Sequence, residues 1–212
     1  MAAGERCASS RDLTLWEIPM FTPPPIPPWD AMHPIIVHFP IALLLTSPVF
    51  VIAAIAWRSR RREMLLACVA LMTLGTISAF LATASGEAGE VATRNVPGAD
   101  IVLQKHEELA ESARNLYLGL TVITAIVALV AWRRHEQITT SMAIAGGVLL
   151  LLLNFLAGMV LVNAAHQGGR LVHELGVRAP WRQPTIGGPG PRVPSPVISP
   201  RDALPTGARE RE

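Results

Sequence analysis

Charged residues are scarce in this chain, which argues against a soluble globular domain. Only 16% of its 212 residues are Asp, Glu, Lys or Arg, whereas 50% are hydrophobic. A soluble domain of this length needs a polar exterior, so the composition is typical of an integral membrane protein. The net charge of +2 is small, and no basic patch with interleaved aromatic residues is found, so nucleic acid is not expected as a partner.

Cysteine is also scarce, and the spacings that indicate a covalently bound or clustered cofactor are missing. The chain has 2 cysteines, Cys7 in the N-terminal segment and Cys68 in an apolar run. Without a CxxCH motif, covalent c-type haem attachment is excluded, and without CxxC there is no zinc or iron-sulfur spacing. The sequence contains no nucleophile motif, Walker loop or paired carboxylates, so we predict no catalytic residues.

Four long, predominantly apolar runs predict an all-α fold, an integral membrane four-helix bundle within a transmembrane domain at 32–177. The predicted spans are 34–57, 64–86, 110–132 and 138–165. Each is long enough to cross about 30 Å of hydrocarbon at about 1.5 Å per residue. Pro40 and Pro48 are expected to kink the first helix. The Pro-rich segments 1–31 and 178–212 are predicted to be extended, poorly structured tails.

The distribution of arginine predicts the orientation in the membrane. The two short turns RSRRRE and WRRHEQ hold six arginines in twelve residues, whereas the N-terminal tail has two basic residues against four acidic ones. The positive-inside rule therefore places the turns in the cytoplasm. We expect a multi-pass protein of a bacterial inner membrane with both termini in the periplasm.

Five of the six histidines are predicted to lie at the periplasmic end. They are His33, His38, His106, His166 and His173. They come from three different helices, and several glutamates close in sequence could accept hydrogen bonds from them. His33 and His38 are five residues apart, about 140° around a helix, so both cannot face the interior of the bundle. We expect His38, which lies a turn inside the span, to be the interior residue.

This histidine cluster predicts a cofactor site. Two imidazoles from facing helices are what a low-spin haem b requires, so His38 with His106 or His166 is the leading ligand pair. Glycines Gly168 and Gly169 permit close approach of a bulky group. We therefore predict a haem b protein that passes electrons to a membrane or redox partner.

Two alternatives remain open. His38, His106 and His166 could hold copper or zinc, although no HxxxH or HExxH motif supports a metal site. The chain could also be a non-catalytic subunit of a larger membrane complex, held by its tails and by helix faces of small residues. A faint internal similarity between AIAWRSRR at 54–61 and ALVAWRRH at 128–135 further suggests two hairpins in parallel arrangement.

The motif HPIIVHFPIALL at 33–44, together with Gly75, His106 and GGRLVHELGV at 168–177, resembles the bacterial four-span membrane protein family DUF2231. The resemblance covers about residues 32–177. It implies a membrane module sometimes found beside cytochrome c or Rieske-type domains, and hence electron transfer. The positions that it implies for the site are His33, His38, His106 and the Gly168-Gly169 pair. The family ending GGxLVYxHGV has Tyr and His where this chain has His173 and Leu175.

Overall fold

The structure, a computed structural model, describes residues 26–134 and 137–178. In chain order its helices are α1 (His33–Ile36), α2 (His38–Ala56), α3 (Arg61–Gly89), α4 (Ala99–Arg133) and α5 (Thr140–His173). Short 3-10 turns lie at Trp29–Ala31, Arg58–Arg60 and Glu90–Ala92. All regular structure in the described ranges is helical, which confirms the predicted all-α class. Most of both predicted tails lies outside the described residues.

Four helical segments are long and apolar enough to cross a membrane, as predicted. They are His33–Ala56, Arg58–Ala92, Ala99–Arg133 and Thr140–His173. The helices extend beyond the apolar runs: α4 begins at Ala99 rather than near 110, and α5 ends at His173 rather than near 165. The polar residues at these ends include good helix formers. The helical backbone hydrogen bonds therefore continue beyond the last apolar residues of each run. The Gly168-Gly169 pair does not interrupt α5.

The hydrogen-bond ladder of the first span, His33–Ala56, is interrupted at Val37, between α1 and α2, although the φ of −60° and ψ of −23° there are helical. Pro40 lacks the N–H that would otherwise donate to the carbonyl of Ile36, so the helical ladder loses a bond at this point. Pro34 lies in the first turn of α1, where a missing N–H costs nothing. Because the backbone at Val37 stays helical, His33 and His38 remain about 140° apart around the same span, and only one of them can face the bundle.

The four long helices pack in a ring in chain order. α2 packs against α3 and α5, and α4 packs against the same two helices, so α2 and α4 occupy opposite corners of the bundle. The short helix α1 packs mainly on α3. Helix α1 thus brings the start of the first span to the side of α3, close to the beginning of α4.

Small and polar side chains are numerous in the interior of the bundle, and large apolar side chains cover its outside. Buried residues include Ser47, Thr124 and Asn154, whereas Phe155 and Val49 are 65% and 57% exposed. This pattern is typical of membrane bundles, in which lipid solvates the apolar exterior and small residues allow close helix packing. Gly75 is an example, because a Cβ atom there would lie 2.6 Å from Leu44 Cδ2.

Candidate functional site

The candidate site is a pair of histidines at the end of the bundle where α1 and α4 begin. The ring centroids of His33 and His106 are 6.2 Å apart, and the ring planes are at 86° to each other. Both side chains are half-buried. His33 is on α1, which packs on α3, and His106 is on α4, so the pair depends on the packing of the two halves of the chain against each other.

His33 is oriented by α3. Its Nδ1 atom lies 2.8 Å from the backbone oxygen of Ala82 and 3.2 Å from the Oγ atom of Ser85. Because a carbonyl oxygen only accepts, Nδ1 carries the proton and donates, and this leaves the lone pair on Nε2. The imidazole thus has one nitrogen fixed by the protein and the other available to a ligand.

His106 is oriented by α5 in the same manner. Its Nδ1 atom lies 2.8 Å from the backbone oxygen of Ala164 and donates to it, so its lone pair is also on Nε2. We expected acidic residues such as Glu107 to accept these hydrogen bonds. In the structure backbone carbonyls take that role, because the helix that packs against each histidine presents a carbonyl directly to its ring.

A glycine makes room for each imidazole. A Cβ atom at Gly86 would lie 3.1 Å from Cε1 of His33, and one at Gly168 would lie 3.1 Å from Cε1 of His106. The sequence suggested that Gly168 admits a bulky cofactor, but the histidine ring itself fills the space beside it. Its neighbour Gly169 has no atom within 4 Å of a built Cβ.

The two histidines are held by two similar hairpins. Ala82 and Gly86 on α3 are spaced four residues apart, and so are Ala164 and Gly168 on α5. In each hairpin the alanine carbonyl accepts the Nδ1 proton and the glycine borders the ring. The faint sequence similarity between the two halves therefore continues at the site.

The buried positions of the two hairpins also correspond. A shift of 73 residues, which relates His33 to His106, also relates the fully buried residues Leu44 and Val51 of α2 to Tyr117 and Thr124 of α4. Helices α3 and α5 correspond by a different shift, of 82 residues, which relates Ala82 to Ala164. This shift also relates buried Met72 to buried Asn154. Each half of the chain thus contributes one equivalent imidazole.

The other predicted histidines do not join the pair. His38, His166 and His173 are exposed. The expectation that His38 faces the interior is wrong, because α1 packs on α3 with His33 toward the bundle, and His38, about 140° further around the span, is exposed. Gly75 lies against Leu44, between α3 and α2, and serves helix packing rather than the histidine pair.

Within residues 26–134 and 137–178, no group of three or more His, Cys, Asp and Glu side chains is placed to hold a metal ion. In this part of the chain the histidine pair His33 and His106 is the candidate ligand set, with no third such side chain grouped with it. Sequence reasoning missed Ala82, Ser85, Gly86 and Ala164. The repeated Ala-x-x-x-Gly spacing was the one signal that could have found three of them.

Comparison with known proteins identifies the family. The profile of the DUF2231 family, described as predicted membrane proteins, matches residues 30–180. No curated protein and no solved structure matches the chain significantly. The matched region contains both histidines, both glycines that border them and all four candidate spans. The chain belongs to the DUF2231 family of membrane proteins.

Proposed function

We propose that this membrane protein binds haem b between His33 and His106 and takes part in electron transfer. The observation that carries the proposal is the pairing of two imidazoles, each anchored through Nδ1 to a backbone carbonyl and each with Nε2 available. Histidines that bind metals almost always donate their other ring N–H in this way, because that bond fixes the tautomer and the ring orientation.

The separation of the rings supports ligation of one central ion. A metal–imidazole bond is about 2 Å long, so two imidazoles on opposite sides of one ion have centroids roughly 6 Å apart. The observed separation is 6.2 Å. The angle of 86° between the ring planes is compatible with this arrangement, since both planes can contain the axis that joins the two Nε2 atoms.

The number of ligands favours haem over a bare metal ion. A structural zinc site needs four ligands, and a catalytic one needs three protein ligands. Haem iron already has four nitrogens from the porphyrin and needs only two axial ligands from the protein. Among the described residues no third His, Cys, Asp or Glu side chain is placed with the two imidazoles to complete a metal site. Copper or zinc at the same histidines is therefore the second candidate, and metal analysis distinguishes it.

The bound group would supply one-electron chemistry at one end of the bundle, and the chain's own residues would set its surroundings. Ala82 and Ala164 orient the imidazoles through hydrogen bonds to Nδ1, and Gly86 and Gly168 keep both rings close to the helices beside them. The arginine-rich turns lie at the other end of the helices, so the positive-inside rule puts the histidine end in the periplasm. An electron donor or acceptor would then reach the site from that side of a bacterial inner membrane.

The absorption spectrum of the purified protein tests the proposal. The full chain, expressed with ample haem, is expected to show a Soret band and a reduced-minus-oxidised difference spectrum. His33→Ala and His106→Ala are each expected to abolish both signals, whereas the exposed residues His38 and His166 supply matched controls, His38→Ala and His166→Ala, that keep them.

Three results would contradict the proposal. The first is a wild-type protein without a Soret band after reconstitution with haem. The second is stoichiometric copper or zinc in place of haem, which would establish the bare metal site. The third is loss of the signal in His38→Ala but not in His33→Ala, which would move the ligand role to the residue that the sequence favoured.

A further inference from the structure

A cavity of about 230 Å³ lies at the arginine end of the bundle, far from the histidine pair. All four long helices line it. Its walls are almost wholly apolar and include Val51, Ile55, Leu65, Val130 and Gly146. An apolar cavity of about 150 Å³ is enough to accept benzene, so this one accommodates a segment of hydrocarbon chain.

The cavity opens toward lipid. Val130 and Met142 line it and are also 45% and 60% exposed on the outer surface of the bundle. Both residues face the hydrocarbon around the bundle, so a lipid chain that occupies the cavity does not have to pass through the aqueous phase. Since both the lining and the surrounding hydrocarbon are apolar, the lining alone does not select one lipid from another.

The arginines at this end of the bundle give the cavity a preference for anionic lipids. Arg61 lines the cavity, and its Nε atom donates to the backbone oxygen of Ala54 at 3.2 Å, which holds the guanidinium at the wall. The turns beside it carry Arg58, Arg60, Arg62, Arg133 and Arg134. Basic pockets between transmembrane helices recognise anionic headgroups, and a guanidinium pairs with phosphate through two parallel hydrogen bonds.

We infer that this cavity is a binding site for an anionic phospholipid, which places part of one acyl chain between the helices and its phosphate against Arg61. The inference is independent of the proposed haem site, because the two lie at opposite ends of the bundle. The bound acyl chain would contact α2, α4 and α5. The packing of these helices at this end would therefore depend on how much anionic lipid the membrane contains.

Two pairs of matched variants test the site. Gly146 lines the cavity and Gly119 does not, and a Cβ atom at either meets nothing within 4 Å. Gly146→Leu therefore fills the cavity without a backbone clash, and Gly119→Leu is its control. Arg61→Gln removes the guanidinium at the wall, and Arg62→Gln removes the adjacent one, which does not line the cavity.

The measurement is native mass spectrometry of the full chain in detergent, titrated with dioleoyl phosphatidylglycerol or dioleoyl phosphatidylcholine. We expect the first phosphatidylglycerol to bind at least tenfold more tightly than phosphatidylcholine. Gly146→Leu is expected to weaken that binding at least tenfold and Gly119→Leu less than twofold. Arg61→Gln is expected to remove most of the preference for the anionic lipid, and Arg62→Gln to leave most of it.

Equal binding of the two lipids to the wild-type protein would overturn the inference, as would undiminished binding to Gly146→Leu. Tight binding of a neutral isoprenoid that phosphatidylglycerol does not displace would also overturn it. Circular dichroism and gel filtration check that each variant is folded. If Gly146→Leu does not fold, the comparison of Arg61→Gln with Arg62→Gln still decides, because equal effects of the two would contradict a site at Arg61.

Discussion

His33 and His106 are 73 positions apart in the chain, yet their ring centroids lie 6.2 Å apart at the end of the bundle. Neither ring is placed by its own helix alone. The carbonyl of Ala82 fixes one and the carbonyl of Ala164 fixes the other. The pair is therefore sensitive to substitutions on α3 and α5 that do not touch the histidines' own helices.

Gly168→Ala is expected to displace His106. The new Cβ atom would lie 3.1 Å from Cε1 and 3.4 Å from Nδ1 of the ring, so the ring must shift by a few tenths of an ångström and strain its bond to Ala164. We expect a lower melting temperature in detergent by circular dichroism and, if haem is bound, an altered Soret band.

The adjacent glycine provides the control for this experiment. Gly169→Ala meets nothing within 4 Å, and replacing a helical glycine by alanine contributes up to about 1 kcal/mol of helix stability. We expect its melting temperature to equal or exceed that of the wild type. A Gly168→Ala protein as stable as Gly169→Ala would show that the ring is not confined as described.

Gly75→Ala is expected to destabilise the contact between α3 and α2. Its Cβ atom would lie 2.6 Å from Cδ2 and 2.7 Å from Cγ of Leu44, which is buried and has little room to move. Overpacking of this kind costs about 1–3 kcal/mol. Unfolding in a graded detergent series measures the loss, and the double variant with Leu44→Ala should recover part of it.

Tyr117→Phe is expected to leave stability unchanged or to raise it by about 1 kcal/mol, because a buried hydroxyl without a partner carries an uncompensated desolvation cost. Tyr117 is 0% exposed, and its hydroxyl has no hydrogen-bond partner among the described residues. Tyr117→Ala should instead cost about 3–5 kcal/mol through loss of the ring. Both are measured by reversible unfolding, and a marked loss in Tyr117→Phe would reveal a bound water or ligand at the hydroxyl.

Ser47 and Asn154 link α2 to α5 inside the bundle. The single hydroxyl proton of Ser47 is shared between the backbone oxygen of Leu44, at 2.8 Å, and Oδ1 of Asn154, at 3.4 Å. Polar pairs between transmembrane helices contribute on average about 0.6 kcal/mol. A double-mutant cycle of Ser47→Ala and Asn154→Ala should yield a coupling energy of that size, and a coupling above about 2 kcal/mol would contradict a simple hydrogen bond.

The sequence predicted the spans because hydrocarbon imposes a length and an absence of charge that can be read directly from composition. It did not predict which histidine turns inward. That outcome depends on the packing of α1 against α3, a contact between residues far apart in the chain. The helix ends were also longer than predicted, since polar helix formers continue the ladder where hydropathy ends.

The carbonyls that anchor the two rings lie on the helices that follow each histidine in its own half of the chain, His33 with Ala82 and His106 with Ala164. Each hairpin can therefore orient its own imidazole before the two hairpins meet. The bundle is then completed when the second hairpin packs against the first. The pair of His33 and His106 forms only at that step. A binding group that needs both rings would recognise the finished bundle and neither of its halves.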